Sequence, residues 1–396
     1  MSLSNAKDWF GILVLVGIVA VGLACSSSKA QERAEFVVQV GEQEEVFKPY
    51  SFGLTDFPDG LMGVLKKDGV YYWFIGSFPP GYNSEKDEPK TYLFRFVGND
   101  LNKMRPDPID KKGNAVAVLC PRLKGSYDDH IAGNGSVYFD EKSGRLYFWW
   151  QAMQELPKEI AERKCEKLSE EEVYPAYSTI GSAVSEDMGK TWKKLGGALK
   201  FNLTWDEFIK DDSIGYADSY PPAVVRNGEY LHMYYVDYQP PPNYSYWNLA
   251  VARLHINDLD KTPQPWKKYY NGEFTEPAMG GKFASINPEG AIEFPAVSFN
   301  TYLKRWIMLH VSWDENSVWE TALRTSGDGI SWSEPQAILR SSNPRDQVMS
   351  PIIIGTGDDP SLTGQEFWLY YSYAPNEREY PPGGWLVRRS VHLEKK

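Results

Sequence analysis

Cysteine, histidine and basic residues are all scarce in this chain. Three cysteines and five histidines among 396 residues form no Cys/His cluster at metal-ligand spacing, which leaves out the zinc modules. The 42 Lys and Arg are outnumbered by 53 Asp and Glu, a net charge of -11. Gripping a phosphate backbone needs a concentrated basic face, and none is present, so nucleic acid is excluded as a partner. No glycine-rich phosphate loop and no nucleophilic triad is apparent either. An apolar run from Trp9 to Ala24 follows Lys7. It is shorter than the roughly 20 residues a membrane span needs and has the shape of an export signal.

That run ends at Val21, Gly22, Leu23 and Ala24, then Cys25 and three serines. The stretch resembles a bacterial lipoprotein cleavage site. The resemblance implies that residues 1–24 are removed, that Cys25 carries the lipid, and that 25–34 form a polar tether. The chain is then exported, periplasmic or on the cell surface, and touches membrane only through its lipid. A plain signal peptide or an N-terminal anchor helix is the alternative. In an oxidising compartment Cys120 and Cys165 would form a disulfide, unless both are free buried thiols.

Aromatic residues, by contrast, are plentiful: 14 Trp, 25 Tyr and 18 Phe. They recur in a pattern. Five times a lead of Pro, Gly and small residues runs into a β-branched stretch, a tight turn and an aromatic-rich stretch, beginning at 59, 133, 220, 294 and 350. Each copy is followed by a third strand signal, at 91–98, 177–185, 247–255, 320–326 and 384–393, and the first four run on into a turn. Repeats of this kind mark radial or stacked architectures. Four-stranded antiparallel units around an axis make a β-propeller, so residues 35–396 are expected to form one all-β, five-bladed propeller. The last repeat has no room for a fourth strand, and 35–40 has no blade of its own. Pairing 35–40 with 384–393 would close the ring and remove both open edges.

Turns between first and second strands are mostly short, whereas connections at the other end are long (79–90, 103–132, 151–176, 193–219, 239–246, 267–293 and 340–349). Alternate connections of a meander emerge at opposite ends, so the long loops share one face around the central channel. Loops on a rigid scaffold are where function concentrates. Acids recur where each first strand begins: Asp56 and Asp59, Asp128 and Asp129, Asp218, Glu289 and Glu293, and Asp346. Carboxylates gathered at one mouth push their pKa values apart and supply an acid beside a base. Two such groups across a sugar ring cleave a glycosidic bond. A solvated acidic rim, or oxygen ligands for a structural Ca²⁺, is the alternative; no other cofactor is called for. His130, next to Asp129, is a candidate for substrate binding, while His232 and His310 read as packed residues of second strands.

Two turns carry a further signature. Ser185, Asp187, Gly189, Thr191 and Trp192 match the Asp-box of sialidases and related propellers, and Ser326, Asp328, Gly329, Ser331 and Trp332 form a shifted copy. Here Asp bonds its own turn and Gly takes positive φ, which is a structural role.

Taken together, Glu293-Phe-Pro295, Asp56-Phe-Pro-Asp59-Gly60 and the turn phrases resemble the five-bladed propeller glycoside hydrolases. These comprise the family 43 arabinanases and xylosidases, the invertase-like enzymes and a group of arabinan-degrading propellers. The resemblance spans about 35–393. It implies hydrolysis of an extracellular or envelope glycan, possible arabinan included, with inversion. Glu293 would be the general acid and Asp59 or Asp56 the base. Asp129, His130, Asp218, Glu289 and Asp346 would bind sugar hydroxyls or set pKa values. Those families carry the glutamate in blade three, whereas Glu293 falls in blade four. A monomer is expected. The rival reading is a non-catalytic surface lipoprotein that binds glycan or protein through the same funnel.

Overall fold

The computed structural model describes residues 36–396 apart from 59, 83–89, 169–175, 215, 218, 220, 240–244, 288–292, 314–317, 342, 344 and 376–383. It also leaves aside the side chains of a few element residues, Cys165 and Glu293 among them. The leader, with Cys25, lies outside the described residues.

Five antiparallel sheets surround one axis, a five-bladed β-propeller. Blade one runs outward through Gly63–Lys67, Val70–Ser77, Tyr92–Gly98 and Arg105–Pro106, and blade two through Gly135–Asp140, Arg145–Gln154, Ala176–Ser185 and Lys193–Leu199. Blade three has Ala223–Asn227, Tyr230–Gln239, Ser245–His255 and Lys267–Tyr270, with Glu273–Pro277 added outside. Blade four has Glu293–Asn300, Arg305–Trp313, Trp319–Ser326 and Gln336–Arg340. Blade five has Gln347–Gly355, Glu366–Ala374 and Trp385–Lys395, and its outer strand is Phe36–Val40, the most N-terminal strand described. The register Phe36↔Lys395 to Val40↔Val391 closes the ring as anticipated, and Glu44–Phe47 extends the same edge.

The turns explain the hairpins. Asp68 and Gly69 both take positive φ between the first two strands of blade one, the geometry whose twist matches the flanking strands. Aromatic side chains fill the seams between blades. Trp73 meets Tyr370 edge-on at 5.5 Å across blades one and five, and Trp149 meets Trp266 at 5.6 Å across two and three. Such pairs contribute about 0.5–1.5 kcal/mol each beyond their buried area.

The two Ser-x-Asp turns serve two other seams, those between blades one and two and between three and four. Trp192 packs on Phe74 of blade one at 5.7 Å, and Trp332 on Tyr234 of blade three at 5.9 Å. Glycine is required at both turns. A Cβ on Gly189 would sit 2.2 Å from the Phe74 ring, and one on Gly329 would sit 2.6 Å from the Tyr234 hydroxyl.

Two short helices, Lys158–Leu168 and Trp205–Lys210, lie on the long connections of blade two and share a small apolar core around Phe208 and Tyr177. Thr204 and Glu207 form a capping box on the second helix. Lys164 joins the two: its buried ammonium donates to the carbonyls of Phe208, Asp211 and Ile214 at 2.7, 2.7 and 2.9 Å.

One expectation is corrected. Cys120 is a free, exposed thiol, so the disulfide with Cys165 is not formed. The helix carrying Cys165 is drawn by Lys164 toward residues 208–214. The Cys120 carbonyl is instead held by Lys194 Nζ at 2.6 Å on the outer strand of blade two.

Candidate active site at the mouth of the propeller

First strands from all five blades line the axis, through Leu61 and Val64, Val137, Val225, Val297 and Ile353. The space between them is only about 80 Å³, too small for a sugar ring. The axis is therefore too narrow between these residues to hold a sugar.

The segments that lead into those strands converge at the end where the first strands begin. Gly60, with φ 119°, lies so close to blades two and three that a Cβ would fall 2.8 Å from Asn134 and 2.9 Å from Pro221. Blades four and five repeat one device. Phe294 (φ 51°) and Ser350 (φ 53°) are left-handed, each directly before a proline, and each lies within a register shift of its strand. Proline donates no hydrogen bond to the ladder, so a bulge forms at the same place in both blades. Bulges and non-glycine positive φ cluster beside functional sites.

The acids named from the sequence divide by surroundings. Asp56 is 1% exposed, and its Oδ1 accepts the Gly384 N–H of blade five at 2.6 Å. Asp346 is 7% exposed, with Oδ2 accepting the Tyr373 hydroxyl at 2.7 Å and Oδ1 the Asn343 amide at 3.0 Å. Burial and that carboxylate push the Tyr373 hydroxyl up to about 12, so it stays a proton donor. Asp129 is fully buried and fastens its own loop, Oδ2 accepting Gly125 N–H at 2.6 Å and Oδ1 accepting Glu155 N–H at 2.8 Å. Asp128 turns outward to Lys194 and Arg122.

His130 is buried at the entrance of blade two, its backbone bridging Met153 and Thr91. His232 and His310 are buried in second strands as anticipated. Burial drives both well below the ordinary imidazole value, to about 4. Glu293 begins the first strand of blade four, paired with Val311. Its side chain, and Asp59, Asp218 and Glu289, lie outside the described residues.

Reading acids alone missed the neutral polar groups of this end. Thr55 Oγ1, Ser77 Oγ, Asn134 Oδ1 and Ser350 Oγ are all buried with no hydrogen-bond partner among the described residues. Thr55 adjoins Asp56, Asn134 opens the first strand of blade two, Ser77 ends the second strand of blade one, and Ser350 sits in the bulge of blade five. An orphaned buried polar group costs about 1–3 kcal/mol, and several at one place call for a ligand or water. In sequence, Thr55, Asn134 and Ser350 lie within four residues of a lead acid or His130, whereas Ser77 has no such neighbour. Asp237, at the mouth end of blade three, was also missed. It is fully buried with Lys268 Nζ at 2.7 Å and the Tyr235 hydroxyl at 3.1 Å. Among the described residues no group of three or more His, Cys, Asp or Glu is placed to hold a metal ion.

No protein-family model and no curated protein matches the chain. Solved structures share its fold. A family 117 glycoside hydrolase of the marine bacterium Zobellia galactanivorans aligns with a TM-score of 0.57 and 11% identity, over 91% of this chain and 92% of that one. An α-L-arabinofuranosidase of Podospora anserina, solved with cellotriose, aligns with a TM-score of 0.51 and 11% identity, over 89% and 97%. An α-L-arabinofuranosidase from Lactobacillus brevis aligns with a TM-score of 0.50 and 11% identity, over 85% and 91%. This five-bladed architecture is thus one that solved glycoside hydrolases use along nearly their whole length.

Proposed function

We propose that the chain is a glycoside hydrolase that cleaves an extracellular or envelope glycan, arabinan-like in character, at the mouth of its propeller. The observation that carries the reading is that buried lead carboxylates, Asp56 and Asp346, and the orphaned polar atoms of Thr55, Ser77, Asn134 and Ser350 all belong to strand ends and leads on the side where the first strands begin. A polyhydroxylated ligand supplies the missing donors and acceptors, and carboxylates are the groups that cleave an acetal. The solved arabinofuranosidases of the same fold support the substrate class.

In this reading Glu293 protonates the leaving oxygen and Asp59 activates water. Asp56, closed off and tied to Gly384, fixes the lead that carries Asp59. Asp218, Glu289 and Asp346 hold sugar hydroxyls, and His130 and Asp129 shape the blade-two wall. Inversion follows if the two carboxyls stand about 6.5–9.5 Å apart, leaving room for water. Export and anchoring through Cys25 belong to the same reading. Cys25→Ala should move the protein from the membrane to the soluble fraction.

The decisive test is a broad screen of arabinofuranosides, arabinans and galactans with the wild-type chain and Glu293→Gln. Turnover by wild type, lost by about 10²-fold or more in the variant while binding persists, is the expected result. Binding without turnover of any glycan by wild type overturns it in favour of a non-catalytic glycan binder.

A further inference from the structure

A second cavity, of about 420 Å³, opens on the outer flank of the seam between blades five and one. Glu45 lines it from the outer strand of blade five, and Ser51 and Phe52 from the segment crossing to blade one. Asn102 and Arg105 enter from the outer turn of blade one, and Arg388 forms a wall. That volume is in the range of small-molecule sites. Arg105 pairs with Val97, close to the turn end of blade one, whereas Glu45 pairs with Val387 near the start of its strand. No first-strand residue lines the cavity, which lies off the axis on the outer edge of the seam.

Its charges are not all balanced. Arg388 is charge-paired: Nε and Nη2 bind Glu44 Oε2 at 2.8 and 2.6 Å, Nη1 reaches the Tyr370 hydroxyl, and the guanidinium lies 4.2 Å from the Trp368 ring. Glu45 is paired with Lys48 at 3.5 Å. Arg105 differs. It is exposed, one Nη1 bond goes to the Met104 carbonyl at 2.8 Å, and among the described residues it has no carboxylate partner. A guanidinium offers five N–H donors in a planar fork suited to a carboxylate. One uncompensated positive charge therefore faces the cavity in a chain of net charge -11.

The aromatic wall is held by unusual backbone. Tyr50 (φ 67°) and Phe52 (φ 55°) are both left-handed without being glycine, a conformation that persists only where the surroundings impose it. It sets the Phe52 ring beneath the Arg105 guanidinium, 5.8 Å from ring centroid to cation, so a cationic fork caps the aromatic wall. Among the described residues no hydrogen bond engages the exposed Asn102 side chain, and Ser51 lines the same space.

We propose that this seam cavity binds a uronic acid residue of a glycan. Its carboxylate would rest on Arg105, its apolar C–H groups against the rim of the Phe52 ring that Arg105 caps, and its hydroxyls on Asn102 and Ser51. The site is separate from the mouth and does not depend on hydrolysis there. The test is calorimetric titration of the full chain with digalacturonate, using neutral galactobiose and inorganic phosphate as comparators. Wild type should bind digalacturonate in preference to both. Arg105→Gln, with an unchanged melting temperature, should weaken it about tenfold or more, and Asn102→Ala should weaken it less. Glu293→Gln should bind it as wild type does. Undiminished binding in Arg105→Gln, phosphate bound as tightly as the uronate, or no binding at millimolar concentration would each overturn the proposal. Should Arg105→Gln fail to fold, Asn102→Ala decides, with unchanged affinity counting against it.

Discussion

The Asp56 carboxylate accepts the backbone N–H of Gly384 at 2.6 Å, and Phe57 N–H returns a bond to the Gly384 carbonyl at 3.1 Å. This reciprocal clamp ties the lead of blade one to blade five across 328 residues of sequence. Asp56→Asn keeps an acceptor for Gly384, so its melting temperature should stay close to wild type. Asp56→Ala removes it and should cost about 1–3 kcal/mol. If Asp56 positions and Asp59 reacts, Asp56→Asn should lose less than about tenfold in kcat, and Asp59→Asn about 10²–10⁴-fold. Equal losses in the two variants would refute that division of roles.

Ring closure rests on Phe36–Val40. Phe36 is 7% exposed in the core shared by blades four and five, and Phe36→Ala should cost about 3–5 kcal/mol. Removing 36–40 altogether should leave Val391–Lys395 as a bare edge prone to pairing with other chains. Light scattering on the truncated protein should show aggregation, and a stable monomer would show that the closing strand is dispensable.

The turn at Asp328 is a stability element with no part in turnover. Oδ1 accepts the N–H groups of Ile330 and Ser331 at 2.8 and 2.7 Å, and Oδ2 accepts the Ser331 hydroxyl at 3.0 Å. Burial raises the carboxyl, but those bonds outweigh it and leave it below the usual range. Asp328→Ala should lower stability by about 1–3 kcal/mol with kcat unchanged. A fall in kcat at a temperature where the variant is fully folded would contradict this.

His310 should make the fold acid-sensitive. It is 1% exposed, and burial, with Arg324 beside it, lowers its pKa to about 4 although the Val311 carbonyl pulls the other way. The unfolded chain binds a proton near pH 6.5 and the folded one only near pH 4. Stability is therefore complete above about pH 6.5 and is lost as pH falls toward 4, by about 3 kcal/mol at most. His310→Gln keeps an acceptor for Arg324 Nε, which His310 Nε2 receives at 3.2 Å, but does not titrate. Urea unfolding at pH 7 and pH 4.5 should show a smaller acid loss in the variant. His232, also near 4, should sustain the remainder.

What could be read from the chain alone follows its local physics. Five repeats of strand, tight turn and aromatic strand impose period-two alternation and short hairpins wherever they fold. The unpaired segment at 35–40 and the incomplete last repeat leave one economical way to remove both edges. Blade number, strand order and ring closure were legible for that reason. The turns of Ser185–Trp192 and Ser326–Trp332 were legible too, because their hydrogen bonds run within a few residues.

Tertiary structure decided what depends on contacts between distant segments. Asp129 and Asp56 look alike in sequence, yet one fastens its own loop and the other clamps blade five. Cys120 and Cys165 look like a pair, but Lys164 and Lys194 draw their segments to different neighbours. The orphaned state of the polar groups at the mouth, and an Arg105 without a carboxylate partner among the described residues of the seam, cannot be read from local sequence. They are defined by what fails to reach them once five blades are packed, and no spacing along the chain records that.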